Sequence, residues 1–188
     1  MVLLAGAVLA GCTGSSLSGG SPAGKSASGG STSGAQKVGV GINYFPPGHR
    51  VAAPTVSGHL LGGGSYSTAR DRGDVVVVNF WGSWCSPCRA ESPALQRLST
   101  VSARSGVRVL GVDIEDTVAK ADAFRRAHHI SYPSLFDPNN TISAGFTTYP
   151  VVATPTTYVI DRTGRIAAVA YGAINYSQFL GLVRRVAA

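Results

Sequence analysis

Residues 74–80, Asp74-Val75-Val76-Val77-Val78-Asn79-Phe80, run directly into Trp81-Gly82-Ser83-Trp84-Cys85-Ser86-Pro87-Cys88. The β-branched run has no polar alternation, so it reads as a strand covered on both faces. Residues 86–104 then read as a helix, with Leu95, Leu98 and Val101 on one side and Gly106 as its stop. Any fold of this chain must therefore bury one strand completely. It must also pass that strand, within a few residues, into a helix start that carries two cysteines.

The same signals continue downstream. Residues 107–114 form a second apolar strand. Residues 117–129 read as a helix with Val118, Ala121 and Phe124 inward, and residues 132–136 as a short extended piece. Asp137-Pro138-Asn139-Asn140 is a turn. Strands at 156–160 and 165–171 flank the hairpin turn Asp161-Arg162-Thr163-Gly164, and a helix at 177–186 closes the chain. Strand–helix alternation followed by a hairpin predicts an α/β fold with a central mixed β-sheet and helices on both faces. Residues 37–74 predict only one or two edge strands or a hairpin, from the apolar pieces at 38–42 and 51–56.

The N-terminal part has a different character. Residues 2–11 are apolar or small, too few to span a bilayer, which takes about twenty. They suit the hydrophobic part of a signal peptide, although no Lys or Arg precedes them. The sequence Leu9-Ala10-Gly11-Cys12 resembles a bacterial lipobox, which implies lipidation of Cys12 after removal of residues 1–11. From Cys12 to Gln36 the chain is dominated by Gly and Ser and cannot bury enough surface to order itself, so residues 12–36 read as a lipidated cysteine and flexible tether. The expected location is the outer face of the bacterial cytoplasmic membrane, with residues 37–188 as the folded domain. The formal charge of +7 suits anionic surfaces or acidic partners. The arginines are scattered rather than tracted, which argues against a nucleic-acid partner.

The chain has three cysteines, and lipidation of Cys12 would leave an even pair. Two residues between Cys85 and Cys88 at a helix start allow the sulfurs to approach in one tight turn. Amides without partners and the positive end of the helix dipole favour a thiolate at that place. Pro87 fits the first turn, where its missing N–H costs little. A zinc site needs four ligands, and His49, His59, His128 and His129 offer no second ligand pair. A purely structural disulfide would sit oddly beside two tryptophans at a helix start.

The string Asn79-Phe80-Trp81-Gly82-Ser83-Trp84-Cys85-Ser86-Pro87-Cys88-Arg89-Ala90-Glu91-Ser92-Pro93 resembles the thioredoxin superfamily, most closely its TlpA/ResA-like (DsbE-like) branch of membrane-anchored thiol–disulfide oxidoreductases. The resemblance covers about residues 50–188 and implies a thioredoxin-like fold. It implies a redox-active Cys85–Cys88 disulfide, with Cys85 as nucleophile and Cys88 as resolving thiol. Thioredoxin has an Asp where this chain has Asn79, which cannot titrate. Glu91 stands where ResA-like proteins carry a Glu, three residues after Cys88 on the same side of the helix, and is expected to manage the Cys88 proton. Ala153-Thr154-Pro155-Thr156-Thr157 matches the superfamily's cis-proline site. Thr154 would then offer backbone hydrogen bonds to a substrate strand, and Trp84 an apolar collar. Pro93 is expected to kink the helix. Glu115 and Asp116 are read as solvated loop acids.

These residues imply an enzyme that needs no cofactor and no metal, acts as a monomer and takes disulfide-containing or dithiol exported proteins. The leading expectation is reduction of disulfides in exported proteins such as apocytochrome c, for cytochrome c maturation, fed by an electron donor in the membrane. Alternatives are an oxidase that forms disulfides in secreted proteins, and a non-catalytic surface binding lipoprotein. A peroxidase is disfavoured, because the Pro-x-x-x-Thr-x-x-Cys context is absent around Cys85.

Overall fold

A computed structural model describes residues 34–39 and 41–188. The expected signal peptide, Cys12 and most of the tether lie outside the described residues. The first strand, β1 (Gln36–Gly39), begins where the sequence places the end of the tether. It is followed by β2 (Ile42–Tyr44), β3 (Ser57–His59) and β4 (Ser65–Ser67). Then come β5 (Val75–Trp81), α1 (Ser86–Ser102), β6 (Val107–Ile114), α2 (Val118–Ala127) and β7 (Ser134–Asp137). The chain closes with β8 (Thr156–Ile160), β9 (Ile166–Tyr171) and α3 (Tyr176–Ala187).

Seven strands form one mixed sheet in the order β1-β2-β9-β8-β5-β6-β7, and β3 and β4 pair as a separate hairpin. All seven residues of β5 are buried, as its unbroken apolar run requires. It pairs in parallel with β6, Val75 opposite Val107 through Trp81 opposite Asp113, and antiparallel with β8, Val76 opposite Ile160 through Phe80 opposite Thr156. Each Val withdrawn from water here contributes about 1.5–3 kcal/mol.

Side chains alternate along β5 between two cores. Val75, Val77 and Trp81 join the core that holds Leu95, Leu98, Phe124, Phe179 and Val183 from the three α-helices. Val76, Val78 and Phe80 join the opposite core. There the helical cover consists of 3-10 turns, Ser143–Gly145 flanked by Ile142 and Phe146, and Thr68–Asp71 beside Val76 and Ile160, and the N-terminal segment adds Phe45 and Val56. The cover on the two faces is thus uneven.

Several local expectations change. Val101 is 50% exposed and Val118 is 48% exposed. The inward stripe of α1 instead follows Cys88, Glu91, Ser92, Leu95, Leu98 and Ser102, which leaves Val101 well off its centre. In α2 the buried side chains are Ala121 and Phe124. Residues 51–56 form no strand, only a bridge from Ala52 to Arg165, whereas the expected edge hairpin is present as the antiparallel pair β1–β2, with Val38 in β1 and Ile42 in β2. α1 runs from Ser86 to Ser102 with Pro93, the expected kink site, inside it. The Arg89 carbonyl that Pro93 leaves without its amide accepts the Ser92 hydroxyl instead, at 3.0 Å. Gly106 ends the helical stretch with φ 67°, a conformation that suits Gly. Among the described residues, no helix is long and apolar enough to cross a membrane.

Candidate active site

The site lies where β5 ends. Cys85 is the N-cap of α1, and its Sγ accepts the Cys88 N–H at 3.2 Å. Cys85 and Cys88 form a disulfide with their Cα atoms 5.3 Å apart. Both are almost fully buried, Cys85 at 3% exposure and Cys88 at 2%. In the disulfide form the nucleophile is thus no more open than the resolving cysteine.

The loop before Cys85 is held from the end of β6. The Ser83 N–H donates to Asp116 Oδ2 at 2.7 Å, and Trp84 Nε1 donates to the Glu115 carbonyl at 3.2 Å. Glu115 and Asp116 thus anchor the cysteine loop rather than simply facing solvent. The signal for this was available, since they follow the strand paired with β5. Trp84 folds over Gly82, where a Cβ would come within 2.6 Å of its Nε1, so a side chain there would displace the indole. Trp84 is 53% exposed, whereas Trp81 is buried and stacks on Phe124 at 4.9 Å between centroids. Trp81 belongs to the core, and Trp84 alone presents an apolar surface beside the cysteines.

Glu91 sits one turn beyond Cys88 on the buried face of α1. Its Oε1 accepts Asn79 Nδ2 at 2.7 Å, and its Oε2 accepts the Ile174 N–H at 3.0 Å. Asn79 also donates to Thr157 Oγ1 at 3.0 Å. Burial pushes the Glu91 carboxyl up to about 7, against the downward pull of the Ile174 and Asn79 hydrogen bonds. Asn79 therefore has a part that sequence reasoning missed: it fixes Glu91 from the central strand.

Pro155 directly precedes β8, and Thr156 pairs with Phe80, so Pro155 lies at the end of the sheet from which the cysteine loop departs. The Thr154–Pro155 bond is cis, as the resemblance implies. The Pro155 carbonyl accepts the Gly172 N–H at 2.8 Å, and Thr154 is half-buried beside it. Val152, in the loop leading to this bond, is 72% exposed.

A second buried acid escaped the sequence reading. Asp113 is fully buried on β6 opposite Trp81, and neither of its carboxyl oxygens has a hydrogen-bond partner. Trp81 Nε1 and Ser134 Oγ are likewise without partners, and both overhang Gly111, where a Cβ would meet them at 2.8 and 2.5 Å. Burial, then the nearby Asp116 carboxylate, pushes Asp113 up to about 8. Among the described residues, no group of three His, Cys, Asp or Glu side chains is arranged to hold a metal.

Fold and site together define a thioredoxin-fold protein with a cystine at the start of the helix after its central strand and a cis-proline at the head of the neighbouring strand. The chain belongs to the AhpC/TSA family, whose model matches residues 50–169. It is similar to the thiol-disulfide oxidoreductase ResA of Oceanobacillus iheyensis, at 30% identity over 61% of this chain and 58% of that protein. The ResA of Geobacillus thermodenitrificans is 29% identical over 55% of this chain and 58% of its own length. The chain thus spans less than two thirds of these relatives. Among solved structures, a DsbF homologue from Corynebacterium diphtheriae superposes with TM-score 0.73 and 29% identity, covering 77% of this chain and 92% of that one. A secreted thiol-disulfide isomerase from Corynebacterium glutamicum gives TM-score 0.73 and 27% identity over 92% and 98% of the two chains.

Proposed function

We propose that this protein is an extracytoplasmic thiol–disulfide oxidoreductase, held to the membrane by lipid on Cys12, that reduces disulfides in exported proteins such as apocytochrome c. The observation that carries the reading is the pairing of a helix-start cystine with the buried Glu91 carboxyl one turn further along the same helix. The relatives named thiol-disulfide oxidoreductase ResA support the chemistry, and the secreted isomerase supports an extracytoplasmic location.

In the reduced protein, the helix start and the Cys88 N–H stabilise a Cys85 thiolate. That thiolate attacks one sulfur of a substrate disulfide. A Cys85–substrate disulfide forms, and the other substrate sulfur leaves as a thiolate. Glu91, poised near neutrality, accepts the Cys88 proton. The Cys88 thiolate then attacks the Cys85 sulfur and expels the second substrate thiolate. Two electrons have passed to the substrate, and the Cys85–Cys88 disulfide awaits a membrane electron donor. Trp84 and the Thr154–Pro155 segment receive the substrate strand beside the cysteines.

The reduction potential of the cysteine pair tests the direction. A value nearer −270 than −120 mV is expected of a reductant. A value near −120 mV would assign the oxidase role instead. Replacing Cys88 with Ser should accumulate mixed disulfides on Cys85. Absence of both mixed disulfides and any disulfide reductase activity would leave only a binding lipoprotein.

A further inference from the structure

An open groove of about 400 Å³ is lined by Ser83 of the cysteine loop, Arg89 near the start of α1 and, along α2 to its C-cap, Lys120, Phe124 and His128 together with two alanines. It begins at the redox loop. Ser83 precedes Cys85 by two residues, and the Arg89 N–H donates to the Cys85 carbonyl at 3.3 Å. The floor is the ring of Phe124, which stacks on Trp81 at 4.9 Å and meets the His128 ring at 4.4 Å. No acidic side chain lines the groove.

Two acids of this region are engaged, one of them through the groove residue Ser83. Asp116 accepts from the Ser83 and Thr117 amides, and Asp122 pairs with Arg125 at 3.3 Å. Arg89 and Lys120 are exposed, and neither belongs to an ion pair among the described residues. Two cations and an imidazole thus surround an apolar floor, with Ser83 and Arg89 bracketing the cysteine pair in sequence, on a chain of formal charge +7. Such a surface is complementary to carboxylates carried on an extended polypeptide.

We infer that the groove selects exported polypeptides whose disulfide is flanked by Asp or Glu, with Arg89 and Lys120 as specificity-determining residues. This rests on the oxidoreductase reading, since the groove matters only if Cys85 exchanges with a substrate. Long-range attraction of the acidic flank brings the substrate sulfur to Cys85 more often, so the effect falls on the second-order rate and weakens with salt.

Two synthetic peptides test this, identical around one disulfide, with Asp/Glu flanks in one and Ser/Asn flanks in the other. The rate of reduction of each by the reduced full chain is measured at low ionic strength and again near 1 M salt, where the screening length falls to about 3 Å. The acidic peptide should react about tenfold faster at low salt, the low end of electrostatic steering. That ratio should approach one in high salt and in Arg89→Gln and Lys120→Glu. The ratio is read because a changed thiol pKa would move both peptides together. Equal rates in the unaltered protein, or a ratio that survives Lys120→Glu, would overturn the inference. Loss of anionic phospholipid vesicle binding in Lys120→Glu with an unchanged peptide ratio would also overturn it, and would give the groove to the membrane. If neither peptide is reduced at all, the oxidoreductase reading itself fails.

Discussion

Asp113 offers a direct probe of the interior behind the cysteine loop. Its carboxyl is fully buried with no hydrogen-bond partner, and burial raises it from 3.8 to about 8. In the unfolded chain the group ionises near its ordinary value, so between about pH 4 and pH 8 the native state binds more protons than the unfolded state. This contribution to stability is therefore fully present at low pH and is lost as pH rises towards 8. Each pH step in that window removes up to about 1.4 kcal/mol, for a ceiling of about 5 kcal/mol. Entry of water on ionisation lowers this, so a loss of about 2 kcal/mol or more is expected. Replacing Asp113 with Asn keeps the shape and removes the titration. Its amide adds a constant cost of its own, about 1–3 kcal/mol if it stays unpaired, but that cost does not vary with pH. The measurement is urea unfolding of the disulfide-intact chain from about pH 4 to pH 8, for both proteins. The stability of Asp113→Asn relative to the parent should improve by about 2–5 kcal/mol across that range. Glu91 titrates in both proteins and cancels in the difference. A difference that stays flat with pH would refute the reasoning.

Other consequences can be measured separately. The Glu91 carboxyl, raised by burial from 4.5 to about 7, likewise withdraws stability as pH rises through that window. Glu91→Gln should remove the limb near pH 7 from the pH–rate profile of disulfide reduction, slow the reaction about a hundredfold and shift the thiol titration of the reduced protein. The Arg50–Asp161 ion pair, 2.8 Å long with both side chains 9% exposed, ties the N-terminal segment to the β8–β9 turn. Arg50→Ala should cost about 3–5 kcal/mol in urea unfolding, because it leaves a buried carboxylate without its cation. Tyr158→Phe removes the hydroxyl that donates to the Tyr149 carbonyl at 2.6 Å and should cost about 1–3 kcal/mol by the same assay.

What could be read from the chain alone follows from the range of the interactions involved. β5, β6 and β8 were legible because each is a run rich in β-branched and apolar residues, and the cysteine loop because its chemistry is packed into eight consecutive residues, 81–88. Cis-Pro155 came through the matching residues around it. β1 to β4, by contrast, are strands of three or four residues whose existence depends on partners elsewhere. Thus β2 forms because Asn43 pairs with Val169, far along the chain. The clamp on Glu91 is equally remote, since Asn79 and Ile174 lie 12 and 83 residues away. Asp113 was hidden in another way. A lone Asp in an apolar strand gives no hint of which face it occupies, and only the packing of Trp81 and α2 shows that it is buried.

The departure at Asn79 now has a physical reason. Its side-chain nitrogen lies 2.7 Å from Glu91 Oε1 and 3.0 Å from Thr157 Oγ1. An Asp in that place, as in thioredoxin, would set two buried carboxyls against each other, and they could hold their places only by sharing a proton. The amide instead donates to Glu91 and lets one carboxyl titrate alone, near neutrality. Acids on both the strand and the helix at this spacing would titrate only as a coupled pair. With Glu91 on the helix that carries Cys88, a strand donor that does not titrate leaves Glu91 to titrate independently of the strand.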